Sequence, residues 1–282
     1  MKITAQLSEV RSLRRRDPNS SCGLVPTMGA LHQGHISLIR RAREENETVG
    51  VSIFVNPLQF NNPGDLEKYP VTLEQDLDIL RQEKVDLVWT PGVDEIFPPD
   101  FKTYVQVEHL STLLEGKSRP GHFKGVATIV AILFNAFQPD RAYFGEKDAQ
   151  QLILIRQMVS DLKFNLEIVP CPTIREADGL AISSRNRNLG IKEREQAVCL
   201  FNALSAAKNS VINGERRAGQ LKNVMQDIIR SYSLAKIDYI SVANPLTLME
   251  IDTLDDDILI SMAVYINDVR LIDNMTVRLQ NK

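Results

Sequence analysis

Up to Pro172, apolar positions alternate between two periods. Short, nearly continuous apolar runs fall at Cys22–Pro26, Val49–Val55, Asp86–Thr90, Arg141–Phe144 and Leu166–Val169. Between them, apolar residues recur at helical spacing near Gly34–Asn46, Thr72–Glu83, Lys124–Ala136 and Ala149–Leu162. Strands buried on both faces read as unbroken apolar runs, and alternation with amphipathic helices predicts a parallel sheet covered on both sides. The stretch from Pro91 to Gly121 breaks the rhythm with Pro98, Pro99 and Pro120, and reads as a long excursion over the sheet.

After Pro172 the pattern changes. Two amphipathic helices are expected near Lys192–Asn213 and Arg217–Ser233, then strands at Ile237–Val242, Ile258–Tyr265 and Val269–Asp273. The predicted fold class is α/β: a Rossmann-like parallel sheet domain, residues 1–172, followed by a smaller α+β domain, residues 173–282. No internal repeat or low-complexity tract is visible.

Composition narrows the function classes. The chain has 282 residues, 43% hydrophobic and 24% charged, as in ordinary globular proteins. A net charge of −3 gives no general attraction to nucleic acid or an anionic membrane, so neither is an expected partner. The basic run Arg11, Arg14, Arg15 and Arg16 reads as a solvated face or loop. Cys22, Cys171 and Cys199 are odd in number and far apart, which argues against a disulfide framework or zinc site and fits a reducing cytoplasm. The N-terminal residues lack the apolar core of a signal peptide, and no apolar stretch approaches the length of a membrane span.

Candidate chemistry gathers at predicted strand ends. In "PTMGALHQGHISL" a strand ends near Pro26 and a helix starts near Gly34, the place where open α/β sheets bind ligands. A helix N-terminus attracts phosphate, and His32 and His35, three apart, would face one side of it. Gly29 and Gly34 would allow close backbone approach. The run is nearly a P-loop, but His35 stands where the lysine belongs. The competing reading is a tight turn with two surface histidines. In "FGEKDAQQ", Lys147 can neutralise phosphate, Asp148 can accept Mg²⁺, and Gln151 lies one helical turn further on; a capped helix start reads the same way. In "READGLAISSRN", Ser183, Ser184 and Arg185 suggest a mobile loop able to close over a triphosphate, or else a linker. In "SIFVNPLQF", the neutral amides of Asn56 and Gln59 could orient a hydroxyl or carboxylate, or could serve a strand-end turn.

Taken together, PTMGALHQGH, SIFVNPLQF, PGHFKGV, QPDRAYFGEKDAQQL, TIREADGLAISSRN and the late RLIDN resemble the pantothenate synthetases, or pantoate–β-alanine ligases, within the HxGH nucleotidyltransferases. The motifs span Pro26 to Asn274, nearly the whole chain. The resemblance implies a Rossmann-like domain, a smaller C-terminal lid domain and a cytoplasmic homodimer. It implies that ATP and Mg²⁺ convert pantoate to pantoyl adenylate and pyrophosphate, and that β-alanine then displaces AMP. By the same resemblance the ATP segments are Met28, Gly29, Ala30, Leu31, His32, Gln33, Gly34 and His35, then Gly145, Glu146, Lys147 and Asp148, with Ile174 at the adenine and Ile182, Ser183, Ser184 and Arg185 at the phosphates. His35 matches the proton donor, with His32, Lys147 and Arg185 as further catalytic candidates and Asp148 as the magnesium contact. Gln59 and Gln151 match substrate-binding glutamines, and Asn56 and Pro26 are set beside them.

Three positions depart from the family pattern. Ile182 replaces a methionine, Ile132 stands where a lysine is expected, and Asn267 replaces a turn glycine whose left-handed backbone asparagine tolerates. Two rival readings exist: another HxGH nucleotidyltransferase, which would need extra cations for a phosphorylated acceptor, or a nucleotide-binding regulatory module without catalysis. Asn56, Gln59 and Gln151 speak against the first, and His32, His35, Lys147, Asp148 and Arg185 together against the second.

Overall fold

A computed structural model describes residues 1–16, 20–61, 63–67 and 69–279. It contains two compact units, Met1–Glu146 with Gln151–Pro172, and Lys147–Gln150 with Thr173–Lys282.

The first unit runs β1 (Lys2–Thr4), α1 (Leu7–Arg16), β2 (Cys22–Thr27), α2 (Gln33–Glu45), β3 (Thr48–Ile53), α3 (Pro63–Glu67), α4 (Leu73–Gln82), β4 (Leu87–Trp89), α5 (Val93–Ile96), α6 (Glu115–Ser118), α7 (His122–Phe137), β5 (Arg141–Gly145), α8 (Ala149–Asp161) and β6 (Glu167–Cys171). The strands form one parallel sheet in the order β1-β4-β3-β2-β5-β6. The order reverses between β2 and its neighbour β5, and in such sheets ligands bind at the carboxyl ends flanking that reversal. These ends carry Met28–His35 and Gly145–Glu146.

The periodicity explains the packing. Val25, Ile39, Val49, Val51, Leu77, Leu80, Val88 and Tyr143 form one buried cluster on the sheet. α7 is apolar on nearly all sides and buried along most of its length. The Pro91–Gly121 excursion contains the short helices α5 and α6 and little else that is regular.

β1 and α1 were not expected from the pattern. Three residues are too few to show a period, and among the described side chains of the arginine-rich α1 only Val10 is fully buried. The solvated-face reading of the basic run also needs correction at Arg14. Its guanidinium donates to the Ser20 carbonyl at 2.7 Å and to Asp140 at 3.1 Å, and Asp140 in turn accepts from the Cys22 N–H at 2.7 Å. Arg11 is exposed, and the side chains of Arg15 and Arg16 lie outside the described residues.

The second unit contains α9 (Ile191–Ala197), α10 (Cys199–Ile212), α11 (Ala218–Arg230) and an antiparallel sheet of β7 (Ala235–Ala243), β8 (Ile258–Ile266) and β9 (Val269–Val277), in that order. Leu200, Leu204, Leu221, Met225, Ile229, Val242, Ile260, Met262 and Val264 fill the core between helices and sheet. The single helix expected over Lys192–Asn213 is two, divided at Val198, whose N–H turns to the Gln196 carbonyl. A bulge near Asp238 interrupts the β7–β8 register, and Asp238 meets Arg270 at 2.7 Å. Asn267 sits at φ 49° in the β8–β9 turn, so asparagine does hold the left-handed position. Among the described residues, no helix is long and apolar enough to cross a membrane.

Candidate active site

In the first unit, the chain leaves β2 through a bend of unusual backbone. Gly29 has φ +81° and Ala30 has φ +50°. The bend is tied internally: Gly29 N–H donates to Thr27 Oγ1 at 3.2 Å, and Ala30 and Leu31 N–H donate to the Asp76 carboxylate at 2.9 and 2.8 Å. His32 then caps α2 in an extended conformation. Its N–H donates to His35 Nδ1 at 3.3 Å, and the two rings stack with centroids 4.0 Å apart. Both imidazoles are half-buried and Gln33 is exposed.

Phosphate recognition through a row of free backbone N–H groups, as in a P-loop, is not available over Gly29–His32. Those donors are already satisfied inside the protein. The positive end of α2 and the histidine pair remain for an anion.

The end of β3 builds a second cluster. Asn56, 1% exposed, donates to Gln59 Oε1 at 3.1 Å and to the Gly125 carbonyl at 3.1 Å, and accepts from Leu58 N–H at 3.2 Å. The Asn56 amide is thus engaged with its own surroundings, and one of its contacts orients Gln59. Gln59 Nε2 reaches Met28 Sδ at 2.8 Å, which links this cluster to the β2 bend. The Gln59 carbonyl lies 2.7 Å from His122 Nδ1 and accepts from Arg119 at 3.2 Å. Phe54 is buried, and Pro26 and Met28 are partly exposed. Gln151 lies half-buried in the first turn of α8.

In the second unit, Lys147 Nζ lies 3.7 Å from Asp148 Oδ1, and Asp148 is about half exposed. Asn274 Nδ2 donates to the Lys147 carbonyl at 2.7 Å. The segment read as a mobile loop or linker is a small hydrogen-bonded hairpin. Ile182 N–H donates to the Ile174 carbonyl at 2.9 Å, Glu176 pairs with Leu180, and Gly179 closes the turn at φ +95°. A Cβ at Gly179 would lie 2.0 Å from Phe201, so only glycine fits there. Arg175 makes a bidentate pair with Asp273 at 2.6 and 2.9 Å and also donates to the Gly179 carbonyl. The hairpin leads into a 3-10 turn, Ser184–Asn188, where Ser183 Oγ accepts from Arg185 N–H at 3.3 Å. Lys147, Ser183, Arg185, Asn186 and Asp273 line one cleft of this unit. Gly145 and Glu146, at the end of β5, belong to the first unit; Gly145 is half-buried and Glu146 exposed.

The model of the pantoate–β-alanine ligase family matches residues 2–276. The chain belongs to the pantoate–β-alanine ligase family. Its relatives include the pantothenate synthetase of Thermotoga petrophila, 47% identical over 276 residues that cover 97% of this chain and 99% of that one. The pantothenate synthetase of Roseiflexus castenholzii is 49% identical over 274 residues, 97% and 98% of the two chains. A pantothenate synthetase structure from Thermus thermophilus superposes with a TM-score of 0.93 at 43% identity, covering 98% and 99%. A pantoate–β-alanine ligase from Francisella tularensis, solved with a β,γ-ATP compound and β-alanine, has a TM-score of 0.79 at 39% identity, covering 98% and 97%. The ligase activity is the ATP-dependent joining of pantoate to β-alanine. The readings as a different HxGH nucleotidyltransferase or as a regulatory module are thereby set aside.

Sequence reasoning did not assign roles to Asp76, Arg119, His122, Arg175, Asp273 or Asn274. The last five lie in or beside motifs that supported the resemblance. Asp76 had no signal beyond its place in a helix first turn.

Proposed function

We propose that the stacked His32–His35 pair is the catalytic centre of adenylation in this ligase. The observation that supports it is the His32 N–H···Nδ1 His35 hydrogen bond at the start of α2. Because Nδ1 accepts, the proton of neutral His35 sits on Nε2, a donor for a phosphate oxygen. Pantoate's carboxylate oxygen attacks the α-phosphorus of ATP, the Pα–O bond to pyrophosphate breaks, and pantoyl adenylate forms. The amine of β-alanine then attacks the acyl carbon, forming the amide and releasing AMP and the amine's proton.

Each motif has a role. Met28–His35, Gly145, Glu146, Lys147 and Asp148 contact ATP, Ile174 borders the adenine, and Ile182, Ser183, Ser184 and Arg185 bind the phosphates. Lys147 and Arg185 add fixed positive charge where the transition state gains negative charge. Gln59 and Gln151 bind pantoate's polar groups beside an apolar wall of Pro26, Met28 and Phe54, with Asn56 holding Gln59 in place. Neutral amides suit this task, because a tight ion pair would blunt the nucleophilic carboxylate.

Among the described residues, no group of three His, Cys, Asp or Glu side chains is arranged to hold a metal. Asp148 supplies one half-exposed carboxylate. Mg²⁺ is commonly bound by one or two carboxylates together with substrate phosphates, so this donor set fits Mg²⁺ carried on ATP. When bound, the ion neutralises phosphate charge. The active form is a cytoplasmic homodimer, and residues 173–282 are its smaller lid domain.

The test is exchange of labelled pyrophosphate into ATP. It requires pantoate and proceeds without β-alanine. Exchange that needs β-alanine, or that proceeds without pantoate, overturns the two-step scheme.

A further inference from the structure

The bend after β2 has the shape of an anion nest, and the protein itself supplies the anion. A turn can aim successive backbone N–H groups at one point. At Gly29 and Ala30 that point is the carboxylate of Asp76, 2% exposed and drawn from the first turn of α4. Each oxygen takes one N–H, Oδ2 from Ala30 at 2.9 Å and Oδ1 from Leu31 at 2.8 Å, and Thr72 Oγ1 donates to Oδ2 at 3.2 Å. Alanine does not adopt φ +50° without a cost, so something must hold it there. Two charge-assisted hydrogen bonds, from the Ala30 and Leu31 N–H groups to a buried carboxylate, do so.

A carboxylate beside a loop that receives a polyanion opposes binding electrostatically. Its presence is explained by what it does to the backbone. We infer that Asp76 is a positioning residue for adenylation: its carboxylate fixes the Gly29–Ala30 bend, and with it the direction in which α2 begins and the His32 and His35 rings face. The inference rests on the assignment of the histidine pair to the phosphates. Asp76 touches no substrate and acts through the loop.

In Asp76→Asn the amide offers one acceptor, and its NH₂ opposes one of the two backbone donors. A misplacement of about 1 Å at reacting groups costs about 10²-fold in rate. Pantoate-dependent pyrophosphate exchange in D76N should therefore lose about 10²-fold in kcat, with the pantoate KM within about 2-fold of the parent. The diagnostic variant is D76N/A30G. Glycine accepts φ +50° without strain, so the double variant should exchange at least about 3-fold faster than D76N alone. A merely structural role of Asp76 in α4 would give no such recovery. The inference fails if D76N exchanges like the parent, if its defect lies in pantoate KM, or if A30G gives no recovery. Should D76N not fold, Thr72→Val weakens the same clamp, and parental exchange in T72V overturns the inference. Absence of pantoate-dependent exchange in the parent chain would instead defeat the underlying functional reading, so the two failures are distinguishable.

Discussion

The N–H of His32 donates to Nδ1 of His35, three residues on, and their rings stack at 4.0 Å. The contact closes α2 at its N-terminus and leaves Nε2 of His35 as the donor in the neutral ring. Two amide substitutions separate these positions. Glutamine can place an N–H near Nε2; asparagine reaches only the Nδ1 position. His35→Gln should keep at least about 10-fold more pyrophosphate exchange than His35→Asn, and His35→Ala should lose about 10²–10³-fold. Stopped-time exchange assays on the three variants read this directly, and equal rates for H35Q and H35N would contradict the assigned donor.

Asn56 is the keystone of the β3 end. Its amide serves Leu58, Gln59 and Gly125 at once while 1% exposed. Asn56→Ala leaves those groups without their partner in a buried place, which should cost about 3 kcal/mol. Urea denaturation should show a lower midpoint at unchanged slope. Because Gln59 loses its fixed orientation, the pantoate KM should also rise by about 10-fold, with the ATP KM little changed. A variant destabilised by that amount with parental pantoate KM would show that Asn56 supports the fold alone.

Apart from the three-residue β1, the strands of the large sheet were legible, β2, β3 and β5 most plainly because they are largely apolar runs that need no partner to be recognised. The candidate loops stood out because they follow those strands and carry rare residues, two of the chain's four histidines among them. Asp76 was not. Its partners are backbone N–H groups 45 and 46 residues away, and an acidic residue in a helix first turn ordinarily answers to the helix dipole. The Arg175–Asp273 pair joins residues 98 apart, and spacing along the chain holds no trace of it. The strand-to-helix turn in "GALHQGH" pointed to phosphate, but the residue pattern does not reveal which backbone donors the fold has already satisfied.

The three cysteines should contribute to the alkaline limit of stability. All are free and buried. Burial raises the Cys22 and Cys171 thiols from 9.0 to about 11 and the Cys199 thiol to about 12. A raised folded-state value favours the protonated thiol in the native protein. Unfolded thiols ionise first, so this stability is complete below pH 9 and is lost as pH rises toward 11 and 12. Thermal midpoints should therefore be flat from about pH 7 to about 8.5 and fall steeply above about 9. Cys22→Ala should flatten part of that fall. A pH profile identical to the parent's would assign the alkaline loss to other groups.

Arg185 is the most direct test of the second unit. The Ser184–Asn188 turn that bears it is pre-set by Ser183 Oγ, which accepts the Arg185 N–H, and by Asn186, which donates to the Ala181 carbonyl at 3.0 Å. These contacts fix the backbone and leave Arg185 exposed beside a cleft that also includes Lys147. Truncating an exposed side chain on a turn held by its neighbours should not unfold the protein. A planar guanidinium grips phosphate oxygens by two parallel hydrogen bonds, whereas an ammonium acts as a point charge. Arg185→Ala should thus lower kcat/KM for ATP by about 10²-fold, and Arg185→Lys should recover part of that by charge alone. The pantoate KM should stay within about 2-fold in both. Parental ATP kinetics in R185A would reduce Arg185 to a surface residue, and a defect confined to pantoate would move it to the other substrate.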